Sequence, residues 1–156
     1  MIDFQTYYEV LCVVDGDGFK AVNKISNALF EFRLYGIDAP EIKRCKKLLQ
    51  DEKTLQMPGQ LLMELGNKSA EFLRTLIWKG VTISIVQEKG NKEDIYGRQL
   101  CYAYLPDGSC INELLVSNGF AKAYNDYYCE KLPDYQLLNT LAKQNSKGLY
   151  SLVKKF

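Results

Sequence analysis

The 156-residue sequence contains no histidine. That absence excludes Ser-His-Asp and Cys-His catalysis, histidine-dependent nucleases and nearly all catalytic zinc sites. Acid–base work in such a chain falls to carboxylates, Lys, Tyr or Cys, and a metal would be held by oxygen ligands, which favour hard cations such as Ca2+ or Mg2+. The five cysteines, Cys12, Cys45, Cys101, Cys110 and Cys129, are odd in number and lack C-x-x-C spacing. Neither a disulfide framework nor a zinc ribbon fits, and reduced thiols, buried or inert, are expected. Long hydrophobic runs are missing too, because charges interrupt every apolar stretch, so no membrane span and no membrane partner are expected. The opening M-I-D-F-Q-T-Y-Y-E-V has an early Asp and no basic n-region, which argues against a signal peptide. The expected location is cytoplasmic, or secreted if a leader has been removed. A strong excess of one charge is also lacking: 20 basic and 19 acidic residues leave a net +1, so the whole molecule is not an obvious polyanion binder. Locally the balance is uneven, since Lys43, Arg44, Lys46 and Lys47 crowd together. A solvated loop and a phosphate-attracting patch both account for that run.

What is present suits one soluble globular domain over residues 1–156: 47% apolar and 25% charged residues are enough for a real core. Residues 7–14 alternate loosely and meet the turn formers Asp15-Gly16-Asp17-Gly18; residues 19–25 and 29–37 follow as two more strands of an antiparallel meander. Residues 42–57 are charged and weakly periodic, a loop with room for a short helix. A firmer helix begins at Pro58 and stops at Gly80, with Gly66 weakening its middle. Strands at 81–86 and 99–105, then helices at 111–118 and 133–147, complete the pattern. The order β-β-β-α-β-β predicts a mainly β, α+β protein: a five-stranded OB-fold Greek-key barrel with about three packed helices.

The residues suited to chemistry are charges placed on apolar strands. Residues 33–41 read R-L-Y-G-I-D-A-P-E, and a core strand would avoid all three of those charges. Alternation sends Arg33, Tyr35 and Ile37 to one face, while Pro40 fixes the separation of Asp38 and Glu41. Asp15 and Asp17 are explained as turn formers, and an EF-hand is excluded because the twelfth position from Asp15 is Ser26. The run D-I-Y-G-R, residues 94–98, adds a second arginine after a turn. Singly, each motif is also explained by turns and ion pairs. Together, oxygen ligands, a spare carboxylate and two arginines are the parts expected for phosphoryl chemistry without histidine.

With D-G-D near the first turn, R-L-x-G-I-D-A-P-E, Y-G-R, N-E-x-L-V-x-x-G-x-A at residues 112–121 and G-L-Y-S at 148–151, the chain resembles the staphylococcal nuclease-like, or thermonuclease, domain family. The resemblance runs from residue 10 to about residue 151 and implies a monomeric, Ca2+-dependent nuclease on an OB-fold. Such an enzyme hydrolyses phosphodiester bonds of DNA and RNA with little sequence preference and leaves 3′-phosphate ends. It implies Asp17, Asp38 and the carbonyl of Ala39 as metal ligands, Glu41 as general base, Arg33 and Arg98 on the phosphate, and Tyr96 and Tyr124 at the nucleotide. The alternative is a catalytically weak or inactive module of the same fold that binds nucleic acid or protein. The chain departs from the family at Gly18, where threonine is frequent, at Ile95, and in a longer segment between Cys45 and Met57.

Overall fold

A computed structural model describes residues 6–156; the first five residues, on which the reading of the leader partly rests, lie outside it. The chain opens with three strands, β1 (Thr6–Val13), β2 (Gly18–Asn23) and β3 (Leu29–Leu34), in the expected antiparallel meander. The β1–β2 turn is closed by the Val14 amide on the Gly18 carbonyl at 2.9 Å. At the β2–β3 turn, Asn23 Oδ1 accepts from the amides of Ile25 and Ser26 at 2.8 and 3.0 Å, an Asx-type turn that matches the sequence reading. Strands β4 (Ile37–Asp38), β5 (Thr82–Val86), β6 (Gln99–Tyr104) and β7 (Lys122–Ala123) follow.

Five strands close a barrel in the order β1-β2-β3-β6-β5, with β5 returning to pair with β1. Every ladder is antiparallel except β3 with β6, which is parallel. Phe19, Ala21, Phe32, Leu34, Ile83 and Cys101 fill the interior, all at most 1% exposed. This is the OB-fold barrel, with the helix-bearing segment inserted between its third and fourth barrel strands.

The single strand expected over residues 29–37 is not continuous. Gly36 adopts φ +67°, a left-handed turn open to glycine, and swings Ile37 and Asp38 out of the barrel to pair with Ala123 and Lys122 of β7. The alternation of Arg33, Tyr35 and Ile37 along one face therefore breaks at Gly36. The isolated pair β7 is too short to leave a period in the sequence.

Among the described residues there are four α-helices where about three were expected: α1 (Lys46–Leu55), α2 (Gly59–Leu76), α3 (Ile111–Ser117) and α4 (Leu132–Gln144), with a closing 3-10 turn at Gly148–Ser151. The additional one is α1, a short and mostly charged helix that buries only Leu48, so it reads in the sequence as a polar segment. It is capped by the Cys45 sulfur, which accepts from the Leu48 amide at 3.5 Å, and ended by Gln56 at φ +54°. None of the five cysteines is paired, and Cys12 and Cys45 are exposed rather than buried. Among the described residues no helix is long and apolar enough to cross a membrane.

Buried Asn112, at the start of α3, ties the site to the barrel. Its amide donates to the carbonyls of Tyr35 and Cys101 at 3.1 and 3.2 Å, and its Oδ1 accepts from the Ala103 amide at 3.2 Å. All four lone polar positions of such a side chain are costly to bury unpaired, so these bonds hold α3, β6 and the turn after β3 in one register.

Candidate active site

The β1–β2 turn, the end of β3 and β4 meet beside α2, and three close approaches fix their positions. A Cβ on Gly16 would lie 2.6 Å from the Cβ atoms of both Ala39 and Ser69. A Cβ on Gly66, in the middle of α2, would lie 2.5 Å from the Pro40 carbonyl oxygen and 2.7 Å from that of Glu41. Gly66 therefore lets the helix backbone seat the Pro40–Glu41 turn, which explains a residue that weakens helices in general. The third approach is the Asp17 carboxylate, whose Oδ2 accepts from the Ala39 amide at 2.7 Å.

These approaches bring Asp17 and Asp38, 1% and 4% exposed, to the two arms of one guanidinium. Arg33 Nη1 bonds Asp17 Oδ1, while its Nη2 donates to Asp38 Oδ1 at 3.0 Å and to the Ile37 carbonyl at 3.3 Å. Asp38 Oδ1 also accepts from Lys47 Nζ at 2.8 Å, and Lys47 reaches Glu41 Oε1 at 3.0 Å and Asp51 at 4.0 Å. Lys122 lies 3.9 Å from Asp38 Oδ2. Four carboxylates here share three basic groups. Burial pulls the Asp38 carboxyl upward, but Lys47 and Arg33 outweigh it and hold the group below its usual value. Burial alone dominates at Asp51, whose carboxyl is raised.

Beside the cluster lies a cavity of about 370 Å³, lined among others by Arg33, Asp38, Glu41, Lys47, Arg98 and Tyr124, a size suited to a small ligand. Arg98 enters it from the loop before β6. Asp94 accepts Arg98 Nε at 2.8 Å and, through Oδ1, the amides of Tyr96 and Arg98 at 2.9 and 3.0 Å. Despite its partial burial, those hydrogen bonds lower the Asp94 carboxyl, and they leave the terminal nitrogens of Arg98 for a ligand. Tyr35 also lines the cavity, and its hydroxyl bonds the Asn91 carbonyl.

The structure brings Arg33, Asp38, Glu41, Arg98 and Tyr124 to the lining of this cavity, whereas Asp17 and Ala39 lie outside the lining, Asp17 bonded to Arg33 and to the Ala39 amide. Tyr96 stands apart from them. It is 77% exposed and outside the lining, its ring 5.5 Å from the Arg98 guanidinium carbon. Lys47, Lys122 and Asp94 were not legible as site residues. Lys47 lies in a basic run with no feature that marks it inward, and Asp94 would have been found only by its spacing of four from Arg98. Tyr127 and Tyr128 also line the cavity.

The donor set suits a hard cation. Asp17 and Asp38 are oxygen-only, buried and close enough for one guanidinium to bridge. Among the described residues no three His, Cys, Asp or Glu side chains converge as a complete metal cluster. A cation here would draw its remaining ligands from a backbone carbonyl, water and substrate.

An OB-fold barrel with paired buried carboxylates and two arginines at one cavity is the class of protein that fold and site define. More specifically, the chain belongs to the staphylococcal nuclease homologue family, whose sequence pattern matches residues 31–152. It is 30% identical over 142 residues to endonuclease YhcR of Bacillus subtilis (strain 168), covering 89% of this chain and 11% of that protein. It is also 30% identical over 143 residues to a protein of Escherichia coli O157:H7 described as an uncharacterized endonuclease, covering 91% and 75% of the two chains. An uncharacterized protein of Methanocaldococcus jannaschii is 27% identical over 151 residues, covering 93% and 72%.

Proposed function

We propose that this chain is a Ca2+-dependent endonuclease that hydrolyses phosphodiester bonds of DNA and RNA and leaves 3′-phosphate ends. The observation that carries the reading is the convergence of Asp38, Glu41, Arg33 and Arg98 at one cavity, with Asp17 bonded to Arg33, and without any histidine. The endonuclease names of two relatives agree with it.

In this reading Asp17, Asp38 and the Ala39 carbonyl would hold the cation, which when bound would neutralise a phosphate oxygen and orient water. Glu41, at the cavity wall, takes the proton of the attacking water, a contribution of about 10² to 10⁴ in rate. Arg98 presents its terminal nitrogens to the phosphate as a planar fork, fixed by Asp94. Arg33 gives up part of its bonding to Asp17 or Asp38 to do the same. Tyr124 contacts the nucleotide from the cavity wall and Tyr96 from its rim.

Cleavage of plasmid and single-stranded substrates in Ca2+, and with excess chelator, tests this directly; full cleavage in chelator would remove the metal assignment. Glu41→Gln keeps size and most hydrogen bonding, so kcat is expected to fall about 10²-fold or more with substrate binding retained. A wild-type kcat in that variant would remove Glu41 from the role of base.

A further inference from the structure

Lys47 holds the oxygens that a cation would need. Its ammonium lies 2.8 Å from Asp38 Oδ1 and 3.0 Å from Glu41 Oε1, between two carboxylates of different function in the proposed site. Asp51, one turn further along α1, backs it at 4.0 Å. The other lysine nearby, Lys122, is placed differently: it stands 3.9 Å from Asp38 Oδ2 and gives its hydrogen bond to the Phe156 carbonyl at 2.9 Å. Only Lys47 therefore bonds Asp38 and Glu41 at once among the described lysines. It is delivered by α1, which buries only Leu48 and is thus lightly anchored to the body that carries the carboxylates.

A positive charge seated on both groups stabilises them as a divalent cation would, and the two cannot share Asp38 Oδ1 on equal terms. Like charges at contact distance repel strongly in a partly buried site. We propose that Lys47 is a built-in counter-ion that must leave Asp38 before Ca2+ binds, and that it thereby sets the Ca2+ concentration at which the site loads. This inference rests on the reading of Asp38 as a metal ligand. The apparent dissociation constant is the intrinsic one divided by the fraction of molecules in which Lys47 is away. In the unloaded protein the device gives buried Asp38 a second cationic partner beside Arg33 and pairs the half-buried Glu41.

Calorimetric titration of CaCl2 into wild type, Lys47→Met and Lys46→Met, together with melting temperatures in chelator and in saturating Ca2+, tests the proposal. Lys46 is exposed, and among the described residues it pairs with none of these carboxylates, so its variant reports the general loss of one nearby positive charge. Lys47→Met is expected to bind Ca2+ about tenfold or more tightly than wild type, and Lys46→Met to shift affinity by less than about threefold. Lys47→Met is also expected to melt lower than wild type in chelator, with the difference closing in Ca2+. A lysine with a merely structural role would lower the melting temperature equally in both conditions. Unchanged or weaker Ca2+ binding by Lys47→Met would overturn the proposal. Lys47→Gln, which keeps a donor without the charge, carries the same expectation and the same overturning result if the methionine variant does not fold. Absence of Ca2+ binding in wild type and every variant would sink the metal reading and this inference with it. Tighter binding by the Lys47 variant without cleavage by either protein would leave the inference standing and sink the nuclease reading.

Discussion

At the scale of single residues, the two arginines do different structural work. Arg33 bridges two buried carboxylates, so a lysine in its place keeps the charge but cannot span Asp17, Asp38 and the Ile37 carbonyl together. Among the described residues Arg98 has a single ion-pair partner, Asp94, with the exposed Tyr96 ring 5.5 Å from its guanidinium. Arg33→Lys is therefore expected to lose about 1 to 3 kcal/mol of stability as well as activity, because a buried acceptor is left unsatisfied. Arg98→Lys is expected to keep the wild-type melting temperature and lose kcat/KM by about 10²-fold, since the bidentate fork is gone. Denaturant melts and initial rates of both variants check this. Equal stability of the two would show that the Arg33 bridge contributes nothing net to the fold.

At the scale of elements, α2 positions the site through its backbone rather than its side chains. Intrinsic propensity favours alanine over glycine inside a helix by about 1 kcal/mol. At Gly66 the added Cβ would meet two carbonyl oxygens of the Pro40–Glu41 turn at 2.5 and 2.7 Å, closer than Cβ atoms come to their neighbours in folded proteins, and neither belongs to a flexible side chain. Gly66→Ala is thus expected to destabilise by about 1 to 3 kcal/mol and, by displacing Glu41, to lower kcat. Its melting temperature and turnover are the measurements; a more stable and fully active Gly66→Ala would mean that the turn yields freely and the seat is not tight. The same turn shows why α1 and β4 matter out of proportion to their size. One brings Lys47 to Asp38, and the other aims Asp38 by pairing with Lys122.

Across the whole molecule, tyrosines are built into the walls of the barrel and the helices behind it. Burial pushes the phenols of Tyr35 and Tyr104 up from 10.0 to about 12, and those of Tyr102 and Tyr135 are raised further by the same cause. Between the unfolded value near 10.0 and the folded values, the native state retains protons that the unfolded chain has lost. The stabilisation is complete below the unfolded value and is lost as pH rises through the folded ones. Stability is therefore expected to fall steadily from about pH 10 upward, with phenolate absorbance appearing late and together with unfolding. A melting temperature that stays level from pH 9 to 11.5, with early phenolate titration, would show that these hydroxyls reach solvent in the native state. Acid acts through Asp38 in the opposite sense. Its folded value is lowered, so its contribution is present above the ordinary carboxylate value and is lost as pH falls through the folded one.

The sequence by itself determined the barrel order and most of the charged cavity. Strand periods, turn residues and five ordered motifs are local patterns, and Arg33, Asp38 and Glu41 could be singled out because charge on an apolar strand breaks such a pattern. The tertiary structure decided what local pattern cannot encode. The break at Gly36 and the pairing of β4 with β7 depend on a partner more than eighty residues away. Helix α1 was obscured because it is short and mostly charged and buries a single leucine, so its composition resembles that of a solvated loop. Lys47 could not be told from its basic neighbours, since only the folded position of α1 directs one of those lysines, and not Lys46, onto Asp38 and Glu41. Tyr96 shared a motif with Arg98, yet the loop carries its ring to solvent and the arginine to the cavity. Which charges meet is a property of long-range closure, and the free energy of a buried ion pair depends on that meeting rather than on spacing along the chain.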